Sequence, residues 1–544
     1  MFQTTQNCSP TADMRDFQSP GRSAVYASNG MAATAHPSAT VTAVEVMKSG
    51  GNAVDAAIAA AGVLAVVEPG MSGIGGDCFA LVAHGNQPVI AYNGSGPAGQ
   101  SVSVEKLLAL GIKEIQPDSA HSVTIPGAVE AWQALLQKYG TRHFDELLAP
   151  AIAYADDGYR VQARVAMEWQ LGVDKLNANA TGRKFFLQDG RPLQAGDTHR
   201  QPGLAKALRA IAAHGADGFY LGPVADDLVQ SLQRAGGLQT LEDFAQLAGS
   251  WVKPVVSHYR NYELIECPPN GQGFMVSIMM NVLNQFSFDG LNPQSAEALH
   301  LQLEASHLAS ADRNRFFDEF YGTDQAQEFL QNLLSTEYAK SQAKRINLAK
   351  ARSADDRQQI RQGGDTTYIA VVDHDGNAVS LMNSLYYPFG SGLVSEQYGI
   401  LMHNRGSAFA VEGPASRLIE PGKRPVHTII PAMLTQKHRP VMVFGVVGAE
   451  FQPGGQVRTI SGVIDGELDV QQALNLPRVY YDQGTVLVER GVTDALRQQL
   501  HSFGHRTIVT ETPLGAGQAI WIDQQFGRLV GGSDFRKDGC AFGY

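Results

Sequence analysis

The chain has 544 residues, of which 44% are hydrophobic and 17% charged, and its formal net charge is -11. This length permits a large core and more than one domain. The negative charge is spread along the chain without a run of Lys and Arg, which argues against a nucleic-acid partner and favours small molecules. Four scattered cysteines without a C-x-x-C pair argue against a disulfide framework and against a zinc ribbon.

The N-terminal third predicts a buried helix followed by a glycine-rich loop. The first thirty residues have neither the basic nor the apolar region of a secretory signal, so we expect a cytoplasmic location. The apolar run AVDAAIAAAGVLAVVEPG contains Asp55 and ends at Glu68-Pro69, which is typical of a buried helix, so we expect no membrane segment. The loop GMSGIGGDCFALVAH fits neither G-x-G-x-x-G nor a P-loop, and we expect no cofactor.

Helical patterns dominate from Val129 to about Leu334. Within this region EALHLQLEASH repeats Glu-x-x-His at Glu297/His300 and at Glu304/His307. In di-iron bundles such motifs come from two different helices and further glutamates complete the site, and the sequence offers no such partners. The pattern therefore favours an ion-paired or solvated helix face, and no metal site is predicted.

The segment 341–362 is charged and poor in large apolar residues, which predicts an exposed, mobile stretch. It leads into Gly363-Gly364-Asp365 and then into alternating β-branched and aromatic residues from Thr366 to Asp373. An Asp-Gly turn precedes a second strand from Ala378 to Tyr387. The sequence therefore predicts a β-hairpin whose first strand begins with two threonines.

A threonine at a new N-terminus can serve as nucleophile through its hydroxyl and as base through its own α-amine. A flexible linker before the Asp365-Thr366 bond gives the backbone the freedom for the Thr366 hydroxyl to attack that bond. The hypothesis is self-cleavage before Thr366. The alternative is that the two threonines are present only because β-branched residues favour strands.

Blocks along nearly the whole chain resemble the γ-glutamyltransferase family of N-terminal nucleophile hydrolases. They include GMAATAHPSATVTAVEVMKSGGNAVDAAIA, EPGMSGIGGDCFALV, VTIPGAVEAW, LLAPAIAYADDGY, TTYIAVVDHDGNAVSL, GILMHNRG, GKRPVHTIIPAM and GGSDFRKDGCAFGY. The resemblance implies an α+β fold, a four-layer αββα sandwich. It also implies cleavage into a large subunit of residues 1–365 and a small subunit of residues 366–544, which stay together as a heterodimer. Further dimerisation of that pair stays an open alternative.

The resemblance also assigns roles to positions in this chain. Thr366 matches the nucleophile and Thr367 the threonine that follows it. Ser384 falls where the family has a second hydroxyl beside the nucleophile. Gly448 and Ala449 fall where the family has two glycines whose N–H groups form the oxyanion hole, and the alanine keeps that donor.

The positions that grip the glutamyl group in the family differ here. Asn93 replaces an arginine for the donor α-carboxylate, and Tyr386 replaces an asparagine. Arg405 and Ala408 replace the residues that hold the donor amino group. A Ser-Ser pair of the family is replaced by His427-Thr428. An ammonium group would meet the Arg405 guanidinium, whereas a carboxylate would pair with it, so we expect a carboxylate-bearing substrate.

The altered pattern is similar to the branch that contains oxamate amidohydrolase and cephalosporin-acylase-like proteins. The expected reaction is hydrolysis of the amide of a small carboxylate-bearing acid, with oxamate giving oxalate and ammonia as the first choice. Alternatives are an acylase for a larger amide, a glutathione hydrolase and, in another class, an inactive binding protein of the same fold. Arg405 as a structural ion-pair partner and His427 as a core histidine are also open readings.

Overall fold

The computed structural model describes residues 21–288, 290–352, 366–482 and 484–544. The helices are α1 (Pro37–Lys48), α2 (Ala53–Val67), α3 (Val104–Ala109), α4 (Ala128–Tyr139), α5 (Phe144–Asp157), α6 (Ala163–Asn177), α7 (Ala180–Phe186), α8 (Pro202–His214), α9 (Asp217–Tyr220), α10 (Pro223–Arg234), α11 (Leu241–Ala245), α12 (Gly273–Leu283), α13 (Ala296–Arg315), α14 (Ala326–Leu333), α15 (Thr336–Ala343), α16 (Gln452–Ile464), α17 (Val470–Asn475) and α18 (Asp494–Ser502). The strands are β1 (Val25–Ala27), β2 (Met31–Thr34), β3 (Asp77–Ala83), β4 (Ile90–Gly94), β5 (Tyr159–Arg160), β6 (Thr198–His199), β7 (Ser250–Val252), β8 (Val255–Tyr259), β9 (Tyr262–Glu266), β10 (Thr367–Val372), β11 (Ala378–Ser384), β12 (Ala432–Gln436), β13 (Arg439–Val447), β14 (Val479–Asp482), β15 (Thr485–Val488), β16 (Thr507–Val509), β17 (Ala516–Asp523), β18 (Arg528–Ser533) and β19 (Cys540–Gly543).

Two seven-stranded antiparallel sheets form the centre of the fold. The first has the order β19-β2-β10-β11-β3-β4-β7, and the second has the order β1-β18-β17-β13-β12-β9-β8. The sheets approach closely where β13 faces β10, because a Cβ added to Gly445 would lie 2.5 Å from the Tyr368 ring. Helices α1, α2 and α4 pack on the first sheet, with α5 against α2 and α8 against α5. Helices α12, α16 and α17 pack on the second sheet, with α13 against α12 and α16. The four layers confirm the predicted αββα sandwich.

The sequence of β10 explains why this strand lies at the centre of the sandwich. Tyr368 and Ala370 face the core between the sheets, whereas Ile369 and Val371 face the helical layer. A strand that is covered on both faces needs apolar residues at nearly every position, as this one has. The predicted hairpin is confirmed, with Thr367 opposite Asn383 in the β10–β11 register.

Helix α2 is buried along its whole length, as its composition predicts. Its small residues allow close packing on α5, since a Cβ on Gly62 would lie 2.7 Å from Leu148 Cδ2. Over the described ranges we find no helix whose length and apolar character would let it cross a membrane.

The helix-rich region 129–334 also contains strands β5 to β9. The stretch from Ser250 to Glu266 is rich in β-branched and aromatic residues, which favour strands. Here β7 completes one edge of the first sheet, and β8 with β9 completes one edge of the second.

The charged segment 341–362 is described only as far as Arg352. For this part the expected exposure is confirmed at seven of the twelve residues, whereas Gln342, Ile346 and Ala351 are buried, and Ile346 packs into the core beneath the second sheet. In addition, the Ala351 N–H donates to the Phe503 carbonyl. Residues 353–365, and with them Asp365 of the predicted cleavage site, lie outside the described residues.

Both sheets combine strands from before and after Thr366. In the first sheet β2, β3, β4 and β7 precede this residue, and β10, β11 and β19 follow it. In the second sheet β1, β8 and β9 precede it, and the other four strands follow. The two parts of the chain therefore share one core.

Candidate active site

Thr366 lies immediately before β10 and is buried. The β10–β11 register places Thr367 opposite Asn383, and Thr366 is consequently beside Ser384. Thr366 Oγ1 lies 3.0 Å from Ser384 Oγ. The predicted nucleophile and the predicted second hydroxyl are thus within hydrogen-bonding distance of one another.

Ser384 also fixes the chain that follows β11. Its Oγ accepts a hydrogen bond from the Tyr386 N–H at 2.9 Å. Tyr386 has a φ of 79°, which is rare for a residue with a side chain and is held here by the neighbouring contacts. This turn places the Tyr386 ring beside the Arg405 guanidinium.

The hydroxyl of Thr367 has a backbone partner. It donates to the Asn383 carbonyl at 3.2 Å, across the β10–β11 pair. Asn383 in turn donates through Nδ2 to Ser72 Oγ and to the Gly73 carbonyl, which ties β11 to the glycine-rich loop before β3. Thr367 therefore helps to hold the strand that carries Thr366.

Gly448 and Ala449 form the turn between β13 and α16. Their φ values are 124° and 48°, and a Cβ on Gly448 would lie 2.9 Å from the Gly515 Cα. Ala449 opens a short 3-10 helix to Phe451, and the first N–H groups of a helix have no partner within it. Gln272 braces this turn, since its Nε2 donates to the Ala449 and Thr428 carbonyls. Such a turn can present N–H groups to an oxyanion.

The Arg405 guanidinium is buried, with 1% of the residue exposed. Its Nη1 donates to Thr428 Oγ1 at 2.9 Å, and its Cζ lies 3.8 Å from the centroid of the Tyr386 ring. Its Nη2 has no hydrogen-bond partner among the described residues. Burial lowers the pKa of Arg405 to about 10, so the group is a cation at neutral pH. An anion would satisfy both the charge and the open donor.

His427 is buried and pairs with Asp77. Its Nδ1 accepts from the Ile429 N–H at 3.3 Å, which places the ring proton on Nε2, 3.2 Å from Asp77 Oδ2. Burial and the nearby Arg405 charge lower the pKa of His427 to about 3. The ring is therefore neutral at ordinary pH and serves as a hydrogen-bond donor to Asp77.

Asp77, at the start of β3, was not singled out from the sequence. Its Oδ1 accepts from the N–H groups of Gly96 and Gly127 at 3.0 and 3.1 Å. Burial would raise the pKa of this carboxyl, but His403 and His427 hold the pKa below its ordinary value. Asp77 thus stays ionised and connects three loops beneath the site. Its position directly after Gly75-Gly76, in the glycine-rich loop, was the one sequence feature that could have marked Asp77 as a site residue.

Asn93 lies behind His427 in a buried amide network. Its Nδ2 donates to Asn270 Oδ1 at 2.8 Å, and its Oδ1 accepts from the N–H and hydroxyl of Ser95. The Asn270 carbonyl accepts from the His427 N–H at 2.9 Å. Asn93 is therefore linked to the site through Asn270, and its own polar atoms hold β4 in place.

A cavity of about 630 Å³ adjoins the site and is lined by Tyr386, Tyr387, Thr428 and Glu450 among others. Glu450 follows Ala449 in the chain and pairs with Arg313 at 3.0 Å. The sequence did not reveal this pair, because the two residues are far apart in the chain.

A sequence model of the family described as gamma-glutamyltranspeptidase matches residues 39–544. The chain belongs to this family. It is 35% identical over 532 residues to the glutathione hydrolase-like YwrD proenzyme of Bacillus subtilis (strain 168), covering 95% of this chain and 99% of that protein. It is 31% identical over 529 residues to the oxamate amidohydrolase proenzyme of Klebsiella pneumoniae, covering 95% and 98%. The crystal structure of a cephalosporin acylase from Bacillus halodurans is similar at a TM-score of 0.89 and 35% identity, with 98% and 99% of the two chains covered.

As a member of the gamma-glutamyltranspeptidase family, the protein is a hydrolase, which confirms the predicted enzyme class. The structure brings Thr366, Ser384, Tyr386, Arg405 and Thr428 into one connected set of contacts. The roles of these residues stay predictions.

Proposed function

We propose that the protein is a self-processing amidohydrolase that uses Thr366 to hydrolyse amides of carboxylate-bearing acids, of which oxamate is the smallest. The observation that carries this proposal is the buried Arg405 guanidinium with its open Nη2. It is linked to Thr366 through Ser384 and Tyr386 by contacts of 3.0, 2.9 and 3.8 Å.

Cleavage before Thr366 would give subunits of residues 1–365 and 366–544, and would free the Thr366 α-amine. That amine accepts the hydroxyl proton as Oγ1 attacks the amide carbon, and Ser384 orients the hydroxyl. The N–H groups of Gly448 and Ala449 stabilise the oxyanion, a contribution of about 2.7 to 4 kcal/mol for one donor. The C–N bond then breaks, the leaving amine takes the proton, and water hydrolyses the acyl-threonine ester.

The carboxylate of the substrate pairs with Arg405 in this proposal. Thr428 accepts a hydrogen bond from Arg405 Nη1, and the Tyr386 ring covers one face of the guanidinium. The guanidinium is therefore preorganised to bind a planar anion through its N–H groups. The ammonium of a γ-glutamyl group would approach the same cation and be repelled.

A second candidate, an acylase for a larger carboxylate-bearing amide, is favoured by the cavity of about 630 Å³. Oxamate has six heavy atoms and would leave most of this volume to water. A volume of this size is in the range of pockets that enclose drug-sized ligands.

The test is a substrate panel of oxamate, a glutaryl amide and γ-glutamyl anilide, assayed by release of the amine, with Thr366→Ala as the blank. We expect the carboxylate-bearing amides without an amino group to give the higher kcat/KM. If oxamate is slow and the glutaryl amide fast, the acylase is the function. A preference for γ-glutamyl anilide would contradict the role of Arg405.

A further inference from the structure

Three buried side chains with metal-ligand chemistry converge on α13. His300 and Glu304 lie one turn apart on this helix, and therefore on one face of it. His505 reaches the same place from the loop after α18. One ligand atom from each residue lies within 4.8 Å of the other two, and all three residues are buried.

The imidazole of His300 is already oriented as a ligand. Its Nε2 lies 2.8 Å from the Asn347 carbonyl, which can only accept, so Nε2 carries the proton. The lone pair of Nδ1 then points toward His505 Nε2, 2.8 Å away. Metal-binding histidines typically donate their second ring N–H to a carbonyl or carboxylate in this way.

The carboxylate of Glu304 is held in place as well. Its Oε1 accepts from the Arg352 N–H at 3.2 Å. This contact and the one between His300 and Asn347 attach the same short segment, 347–352, to α13. Two of the three ligand positions are thus held by backbone groups of a neighbouring segment, and the Arg352 Nε also lies 3.5 Å from Glu304 Oε2.

We propose that His300, Glu304 and His505 bind a divalent transition metal, and that zinc is the preferred ion. Two imidazoles and one carboxylate form a known zinc ligand set, with water at the fourth position. Tetrahedral zinc would require the two ring nitrogens to separate by about half an ångström from their present 2.8 Å, with the carboxylate rotating inward.

A bound ion would connect the two products of cleavage. His300 and Glu304 precede Thr366, whereas His505 follows it. The two elements already pack together through Leu299 and Leu500. Given the self-cleavage in the proposed function, the metal would fasten the large subunit to the small one.

The test measures zinc by mass spectrometry in the full-length protein purified from zinc-supplemented cells and dialysed without chelator. Wild type should hold about one zinc ion per chain. His505→Gln keeps an amide that can donate to His300 Nδ1 but is a poor zinc ligand, and it should hold less than about a tenth of that amount. His214→Ala, which removes an exposed histidine, is the matched control and should retain the wild-type content.

Stability measurements separate metal binding from the hydrogen bond between the histidines. Zinc should raise the melting temperature of the wild type but not that of His505→Gln, and the two should agree in chelator. Thr366→Ala should bind zinc equally well while staying one chain, so failed cleavage and failed metal binding are distinguishable. Zinc-free wild type, or equal zinc in wild type and His505→Gln, would overturn the proposal.

Discussion

Replacing Arg405 with glutamine should separate catalysis from folding. The change removes the cation that is proposed to pair with the substrate carboxylate. Loss of one partner of a buried charge pair costs about 2 to 5 kcal/mol, which corresponds to a fall in kcat/KM of roughly 30-fold to several thousand-fold. Arg405→Lys should fall between wild type and Arg405→Gln, because a point charge cannot reproduce the two-pronged contact.

Arg405→Gln should change the stability of the fold only slightly, because the buried Arg405 charge itself costs the folded state free energy. Burial lowers the pKa of Arg405 from its ordinary value to about 10, so the cation costs the folded state on the order of 3 kcal/mol at any pH below about 10. This penalty disappears as the pH rises above about 10 toward the ordinary pKa of arginine. The bond to Thr428 and the Tyr386 ring offset the penalty by about 1 kcal/mol each. Removing the charge therefore leaves the free energy of unfolding nearly unchanged or slightly higher.

The assays are kcat/KM on the best amide of the panel, the melting temperature, and self-cleavage followed on a denaturing gel. Arg478→Gln is a matched control, because Arg478 is equally buried but is paired with Asp534. It should lower stability by about 3 to 5 kcal/mol. If Arg405→Gln loses stability and self-cleavage to a similar extent, Arg405 supports the fold and its role in substrate selection is refuted.

Thr366→Ala should remain a single inactive chain on a denaturing gel, whereas wild type should give fragments of about 365 and 179 residues, the smaller beginning Thr-Thr-Tyr-Ile; Thr366→Ser should keep part of both activities. Gly448→Ala should lower kcat by about 100-fold or more, measured in steady state, because its Cβ would crowd Gly515 and displace an oxyanion donor. Asp77→Asn should lower the free energy of unfolding by about 2 to 4 kcal/mol in urea titrations. The pKa of Asp77 is held low, so its contribution should persist at neutral pH and be lost only as the pH falls below about 4. The kcat/KM should rise with pH to about 8 as the α-amine loses its proton, and His427, whose pKa is lowered to about 3, should add no inflection near neutrality.

Local patterns were sufficient for the elements that lie close together in sequence. The hairpin that carries Thr366 and Ser384 has an Asp-Gly turn between two apolar strands, and the structure contains it. The buried α2 is likewise evident from its small apolar residues. The sandwich itself followed from resemblance, since strand order depends on contacts between distant parts of the chain.

Residues whose importance comes from distant partners were missed. Asp77 matters because Gly96, Gly127 and His427 donate to it, and no spacing in the sequence indicates those contacts. The same holds for the brace that Gln272 provides to Ala449. The structure contains the predicted ion pairs of Glu304, with His307 and Arg352. The approach of His505 to His300 could not be predicted, because the two residues are about two hundred positions apart.

Because each sheet combines strands from before and after Thr366, cleavage would change how the protein recovers from unfolding. Each fragment contains only part of either sheet, so neither can rebuild a complete seven-stranded sheet by itself. Unfolding before the cut is a first-order process that one chain can reverse. After the cut, recovery would require two chains to meet, so the refolded yield should depend on protein concentration. The working lifetime of the mature enzyme would then be set by its rate of unfolding, and a damaged molecule would be replaced by new synthesis rather than repaired.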